Sequence, residues 1–268
     1  MVGTKDMKVT LIVSSYDRPH LLRNSIPSWF RFTAPDELIL INDGTRDATE
    51  DIFNEWRGKQ PDTHFVYKHR QKKEWINPAI PHNWGVKQAS SEVIAITDPE
   101  CIFVTDAIGN LKRDMEEGKH FVSGGVVYFP GMAIRFSPQE LAEPILITRR
   151  AEVVDYYVGY YSTAKDIVKF VGVASHYFGG CLKKLWMDLG GKDERFVGWG
   201  NEDMQLYGRL SRNKTPLYAD NDIVIIHQCH GYTPHYAMRW TNIQRKWMEE
   251  DNLAGVLVVN TDKEWGML

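Results

Sequence analysis

The sequence predicts an α/β fold with a mostly parallel central sheet flanked by helices. Two observations carry the prediction. Through the first hundred positions, short apolar runs of strand length alternate with helix-spaced apolar residues, the pattern of right-handed β-α-β crossovers. Three of these runs are each followed by a polar cluster: Ser14 to Asp17, Asn42 to Thr45 and Asp98 to Glu100. Ligands of doubly wound sheets bind at the carboxyl ends of the strands. The three clusters therefore point to one crevice.

Lys8 to Ser14 (KVTLIVS) is apolar, β-rich and short enough for a buried strand. Leu22, Ile26, Trp29 and Phe30 then fall at helical spacing within Leu21 to Phe32. Glu37 to Ile41 (ELILI) is the second buried strand, ended by the turn signal Asn42-Asp43-Gly44-Thr45. A helix is expected over Ala48 to Trp56, a strand over His64 to Lys68, and a short helix over Pro81 to Ala89. Glu92 to Thr97 (EVIAIT) is the fourth strand. Asp106 to Glu117 follows as a helix and Phe121 to Tyr128 as a strand. Phe129 to Ala174, with three prolines and four clustered tyrosines, reads either as an inserted, partly helical lobe or as a plain structural excursion. Cys181 to Leu189 is expected as an amphipathic helix stopped by Gly190-Gly191. A strand at Asp222 to Ile226 and a helix over Tyr236 to Glu250 complete the chain. There is no repeat, low-complexity segment or linker, so one domain is the simpler organisation.

The bulk numbers exclude more than they reveal. The 268 residues, 43% of them hydrophobic, suffice for one sizeable core. A net charge of −3 and a pI near 6.3 give no electrostatic case for nucleic acid or an anionic membrane. Three cysteines, Cys101, Cys181 and Cys229, are too few for a disulfide framework and suit a reducing compartment. No window reaches the ~18 apolar residues of a membrane span, and Met1 to Lys8 lacks a signal-peptide core. A cytoplasmic protein is expected, with peripheral membrane association left open.

The stretch Phe196 to Leu206 (FVGWGNEDMQL) sets two glycines and Trp199 before Glu202-Asp203 and a helical run. Helix N-termini favour carboxylates, so both acids read as simple caps. The other reading is a site. Gly198 and Gly200 admit unusual dihedrals, and Trp199 beside a carboxylate is a pairing that holds a sugar ring. Asp98-Pro99-Glu100 carries two carboxylates that point the same way if the segment is extended. Such hard oxygen ligands suit Mg²⁺ or Mn²⁺; the alternative is a solvated turn. Asp43 either contacts a nucleobase edge or ribose, or belongs to ordinary Asn-Asp-Gly turn chemistry. His227 ends an apolar strand 24 residues after Asp203 and is competent to bind Mn²⁺ beside carboxylates. It can equally be a buried or capping histidine. A zinc site from His227, Cys229 and His230 lacks a Cys-x-x-Cys partner and a fitting spacing.

These residues resemble the family 2 glycosyltransferases and their relatives, over most of the chain. Val9 to Arg23 (VTLIVSSYDRPHLLR) looks like the opening strand and Tyr-Asn-Arg turn, with Asp17 for the usual Asn. Leu40 to Thr45 (LINDGT) looks like the Asp-Gly-Ser motif. His82 to Glu100 (HNWGVKQASSEVIAITDPE) looks like the Arg-Asn-x-Gly stretch running into Asp-x-Asp. Gly190 to Leu210 (GGKDERFVGWGNEDMQLYGRL) is similar to a segment of inverting galactosyl- and N-acetylgalactosaminyltransferases, including chondroitin-type polymerases. The resemblance implies a GT-A fold, with a nucleotide-sugar-binding half over about residues 1–128 and an acceptor-binding, catalytic half over about 129–268, the inserted lobe facing the acceptor.

It also implies roles. Donor contacts fall to Asp17, Asp43, Asn83 and Asp98, with Asp43 holding uracil. Asp98, Glu100 and His227 would bind the metal, with His230 as the substitute for His227. Asp203 would be the catalytic base, with Glu202 and Trp199 on the acceptor sugar. Two departures stand out: Glu100 replaces the last Asp, and His82 stands where the family often has Arg, leaving Lys72 and Lys73 as alternative basic residues. The implied activity is metal-dependent, inverting transfer from a nucleoside-diphosphate sugar to an acceptor hydroxyl on a glycan or other molecule. A retaining transferase is disfavoured by the Glu-Asp pair. An inactive sugar- or nucleotide-binding module is disfavoured by the joint presence of Asp43, Asp98, Glu100, Asp203 and His227. A nucleotidyltransferase lacks its Gly-rich basic loop, since Ser14-Ser15-Tyr16-Asp17 stands there.

Overall fold

The computed structural model describes residues 7–44, 46–70, 77–128, 177–198, 200–228 and 234–268. Its strands are β1 (Val9–Ser15), β2 (Glu37–Asn42), β3 (His64–His69), β4 (Val93–Thr97), β5 (Cys101–Phe103), β6 (Phe121–Tyr128), β7 (Phe178–Leu182) and β8 (Leu217–His227). The helices are α1 (Pro19–Trp29), α2 (Thr49–Lys59), α3 (Ala79–Gln88), α4 (Ala107–Glu116), α5 (Lys183–Asp188), α6 (Glu202–Arg212) and α7 (Pro234–Leu253). All eight strands form one sheet, in the order β3-β2-β1-β4-β7-β6-β8-β5.

The apolar runs are continuous because both faces of the sheet are covered. Along β1, Leu11 and Val13 join Leu22 and Ile26 of α1, Phe53 of α2 and Leu111 of α4 on one face. Ile12 turns the other way, to Val86 of α3, Trp186 of α5 and Leu206 and Tyr207 of α6. Each such fully buried side chain contributes about 1.5–3 kcal/mol relative to exposure. The pairs β3-β2, β2-β1 and β1-β4 are parallel, as alternating strands and helices require. Ser15, Asn42 and Thr97 thus end neighbouring strands on one edge, and the polar clusters after them share a crevice.

Beyond β4 the topology departs from the expectation. Residues 178–182 form β7 and lie antiparallel to β4, with Ala95 opposite Gly180 and Ile94 opposite Cys181. The helix expected from Cys181 therefore starts only at Lys183. Two glycines inside a run read as breakers, yet here they admit close packing. A Cβ on Gly180 would come within 2.5 Å of Leu111 Cδ2. The three-residue β5 was also not expected; it pairs antiparallel with β8, placing Cys101 opposite His227. β8 itself begins at Leu217, five residues before the expected strand, and pairs parallel with β6 through an irregularity at Gly124/Gly125. The lobe expected at Phe129 to Ala174 lies outside the described residues.

Candidate active site

The residues after β1, β2 and β3 meet at the carboxyl ends of these strands. Asn42 Oδ1 accepts the Gly44 N–H at 3.1 Å, an Asx turn that sets the backbone after β2. The Asp43 N–H donates to the Ser15 carbonyl at 2.8 Å, so the ends of β1 and β2 are tied. Its carboxylate is buried and accepts from Arg70 Nη1 at 2.9 Å. Asp17 is exposed, with φ of 53°, and packs on Gly44, whose Cβ would lie 2.5 Å from Asp17 Oδ1. Asp17 and Asp43 therefore share one wall.

Asp98 to Glu100 is a turn rather than an extended segment: the Cys101 N–H closes it on the Asp98 carbonyl at 3.0 Å. The alternation argument for two parallel-pointing acids fails here, because proline after Asp98 starts a turn. The two acids are nonetheless near one another. Burial, then the Glu100 charge, push the Asp98 carboxyl well above the ordinary carboxylate range, with Arg18 pulling it back. Glu100 is buried, ion-paired to Arg18, and 3.4 Å from His227 Nε2. The Tyr177 ring stands edge-on to His227 at 4.7 Å between centroids. Gln228 fixes the Glu100 backbone, its N–H and side-chain amide both donating to the Glu100 carbonyl, at 3.1 and 3.2 Å.

Two of the three expected metal ligands thus meet, and Asp98 lies near Glu100 without joining them in one ligand set. Among the described residues no three His, Cys, Asp or Glu side chains form a group that could hold a metal ion. The donor chemistry of two carboxylates and an imidazole still fits a hard or borderline divalent cation. The excess negative charge that raises Asp98 is the kind a cation relieves.

Glu202 and Asp203 open α6, where the helix dipole favours them. Gly198 and Gly200, with φ of 101° and 90°, and Asn201 at 69° carry the chain into that helix through left-handed conformations. Asn201 is held by Gln244, which accepts from its amide at 3.1 Å. Glu202 is buried, whereas the Asp203 side chain keeps 25% exposure and can meet a substrate. Burial, then the Asp203 charge, push the Glu202 carboxyl up to about 8. Glu202 therefore holds its proton more tightly than an ordinary carboxyl does. Trp199 and His230 lie outside the described residues, as do Lys72 and Lys73.

Asn83 is where the structure corrects the sequence reading. It is fully buried, and all its amide capacity is used within the protein. Its Nδ2 donates to the Lys192 carbonyl at 2.8 Å and to Glu194 Oε1 at 3.1 Å. Its Oδ1 accepts from Lys192 N at 2.8 Å and Trp186 Nε1 at 3.1 Å. Nothing is left for a donor nucleotide, and Asn83 instead clamps the turn after α5. A Cβ on Gly191 would sit 2.4 Å from Asn83 Oδ1, so that position admits only glycine.

Two cations at the site, Arg70 and Lys192, had no sequence signal of their own, and Arg18 was visible only as the last residue of the Tyr-Asn-Arg-like turn. Lys192 is fully buried, with Nζ 2.6 Å from Asp203 Oδ1 and 4.0 Å from Glu202 Oε1. It was visible only as the variable residue of the Gly-Gly-x-Asp-Glu segment. Arg209, also buried, donates to the Leu189 and Gly191 carbonyls at 2.7 and 2.6 Å.

Comparison with known proteins agrees with this architecture. No curated protein sequence matches the chain. Among solved structures, a mannosyltransferase from Pyrobaculum calidifontis, PcManGT, in complex with GDP-Man and Mn²⁺, superposes with a TM-score of 0.59 at 16% identity, covering 94% of this chain and 64% of that one. TarS 1–349 of S. aureus in complex with UDP-GlcNAc gives 0.64 at 14% identity, with 96% and 68% covered. The longer S. aureus TarS structure gives 0.63 at 15%, with 96% and 41% covered. This chain spans less than two thirds of the length of PcManGT and of the longer TarS. Among the described residues no helix is long and apolar enough to cross a membrane. Residues 10–177, more than half the chain, match glycosyl transferase family 2, and the chain belongs to that family of glycosyltransferases.

Proposed function

We propose that the chain is a metal-dependent, inverting glycosyltransferase that moves a sugar from a nucleoside-diphosphate sugar, read here as a UDP-sugar, to an acceptor hydroxyl. The observation that carries this reading is the pair of acids that opens α6: a buried Glu202 beside a partly exposed Asp203 whose Oδ1 lies 2.6 Å from the buried Lys192 ammonium. The solved neighbours support the donor class, since PcManGT was captured with GDP-Man and Mn²⁺ and TarS with UDP-GlcNAc. In this reading about residues 1–128 would serve the donor and about 129–268 the acceptor.

Asp43 and Asp17 line the nucleotide wall, with Arg70 holding the Asp43 carboxylate. Glu100 and His227, with Asp98 beside them, would hold Mn²⁺ or Mg²⁺. Such an ion supplies charge neutralisation for the departing diphosphate. Asp203 takes the proton of the acceptor hydroxyl while that oxygen bonds to the anomeric carbon and the bond to the diphosphate breaks on the opposite face. This single displacement inverts configuration. Glu202, whose carboxyl is held toward its protonated form by burial, would contact the acceptor sugar. The carboxylate base needs placement more than a shifted pKa.

Calorimetric titration with a panel of nucleoside diphosphates, with and without Mn²⁺, tests the donor site. The expected result is metal-dependent, uracil-selective binding, followed by slow UDP-sugar hydrolysis and an inverted product by anomeric NMR. Absence of binding by every nucleotide overturns the reading. Binding without hydrolysis or transfer favours an inactive module.

A further inference from the structure

We infer that Lys192 is a positioning residue for the general base: its buried ammonium holds the Asp203 carboxylate in the orientation that receives the acceptor proton. The inference rests on the reading of Asp203 as base. Asp203 is the nearest acid to Nζ, at 2.6 Å, and Glu202 lies at 4.0 Å. An ammonium can only donate, so His82 Nδ1, 3.1 Å away, must accept, which places the ring proton on Nε2. His82 thus serves Lys192.

A purely structural role does not require this charge. An ammonium taken out of water costs several kcal/mol unless paired, and an apolar side chain would fill the same slot without that cost. The fold instead anchors Lys192 from several sides. Asn83 grips both its N–H and its carbonyl, Asn260 donates to the same carbonyl at 2.8 Å, and Arg209 ties the two preceding carbonyls of the turn. These contacts fix the Lys192 backbone, and the ammonium in turn fixes the base. Burial alone would push the Lys192 ammonium down, but the charges of Asp203, Glu202 and Asp98 leave it above its ordinary value, so it remains a cation. Lys192 also balances the crowded acids, which would otherwise compete for one proton between Glu202 and Asp203.

The test compares Lys192→Met, Lys192→Arg, Asp203→Asn and the double variant Lys192→Met/Asp203→Asn in the full chain. UDP-N-acetylglucosamine and UDP-galactose hydrolysis with Mn²⁺ gives kcat and KM, and UDP titration gives donor affinity. Lys192→Met is expected to lower kcat by about 100-fold with UDP affinity unchanged. Lys192→Arg should recover part of that loss, and the double variant should turn over no more slowly than Asp203→Asn alone. A folded Lys192→Met enzyme with wild-type kcat overturns the inference, as does a double variant clearly slower than Asp203→Asn. Wild-type turnover in Asp203→Asn instead removes the underlying assignment of the base. Should Lys192→Met fail to fold, Lys192→Gln keeps a donor without the charge and carries the same two outcomes.

Discussion

Two corners of the crevice each set a pair of acids against one cation, and they do so differently. At the strand-end corner, Asp98 and Glu100 face Arg18, whose side chain is 32% exposed and sits on the loop after β1. At the helix-start corner, Glu202 and Asp203 face Lys192, 1% exposed and gripped through its own backbone. A cation on a solvent-accessible arm can be exchanged for another. A cation sealed in the core cannot leave, and its acid keeps one orientation. The difference teaches that one pair of acids meets a cation that solvent reaches and the other a cation that it does not.

The largest effect expected is at the helix-start corner. Asp203→Asn should reduce transfer by roughly 10²–10⁴-fold while UDP affinity stays at the wild-type level. Single-turnover rates alongside calorimetry check both halves, and equal losses in the two would make Asp203 a binding residue. The strand-end corner should break in the other direction. Glu100→Ala or His227→Ala should weaken Mn²⁺ binding by about tenfold or more, read by titration followed with electron paramagnetic resonance. Unchanged titrations in both variants would remove these two residues from any metal site.

A smaller effect sharpens the charge assignment. The Glu202 carboxyl sits at about 8 in the fold against an ordinary value of 4.5. The folded state therefore holds a proton that the unfolded chain has released. Stability from this group is complete below about 4.5, falls as pH rises toward 8, and levels off above it. Glu202→Gln is neutral throughout and should flatten that slope, so wild type should lose several degrees more of Tm between pH 5.5 and 8.5. Parallel slopes would mean that Glu202 is already ionised. The smallest effect belongs to Arg18. Its pair with Glu100 is partly exposed and is worth up to about 1 kcal/mol, so Arg18→Met should tighten Mn²⁺ binding only by about three- to fivefold. Weaker Mn²⁺ binding in that variant would show that Arg18 supports the ion instead of competing with it.

Much of this architecture was legible in the chain. ELILI and EVIAIT read as doubly buried strands because the hydrophobic pattern of a segment records what covers it. Asp43 and the Glu202-Asp203 pair were placed at a strand end and a helix start because turn and cap chemistry is local. β7 was missed because Gly180 inside it is explained only by Leu111 of α4 lying against it. The Asp98-Glu100 geometry was misread because the pattern of alternate residues gives no warning of where a strand has already ended.

The sequence by itself determined the parallel donor-side strands, the loops that carry its acids and the family to which it belongs. Tertiary structure alone decided how those acids are served. Arg18 reaches Glu100 across 82 positions, and Asn83 reaches Lys192 across 109. It moved Asn83 from the expected donor contact to a structural clamp, and it set a lysine with no motif of its own beside Asp203. The physical reason is that charge pairing depends on distance in space. Periodicity and turn chemistry act only between near neighbours along the chain.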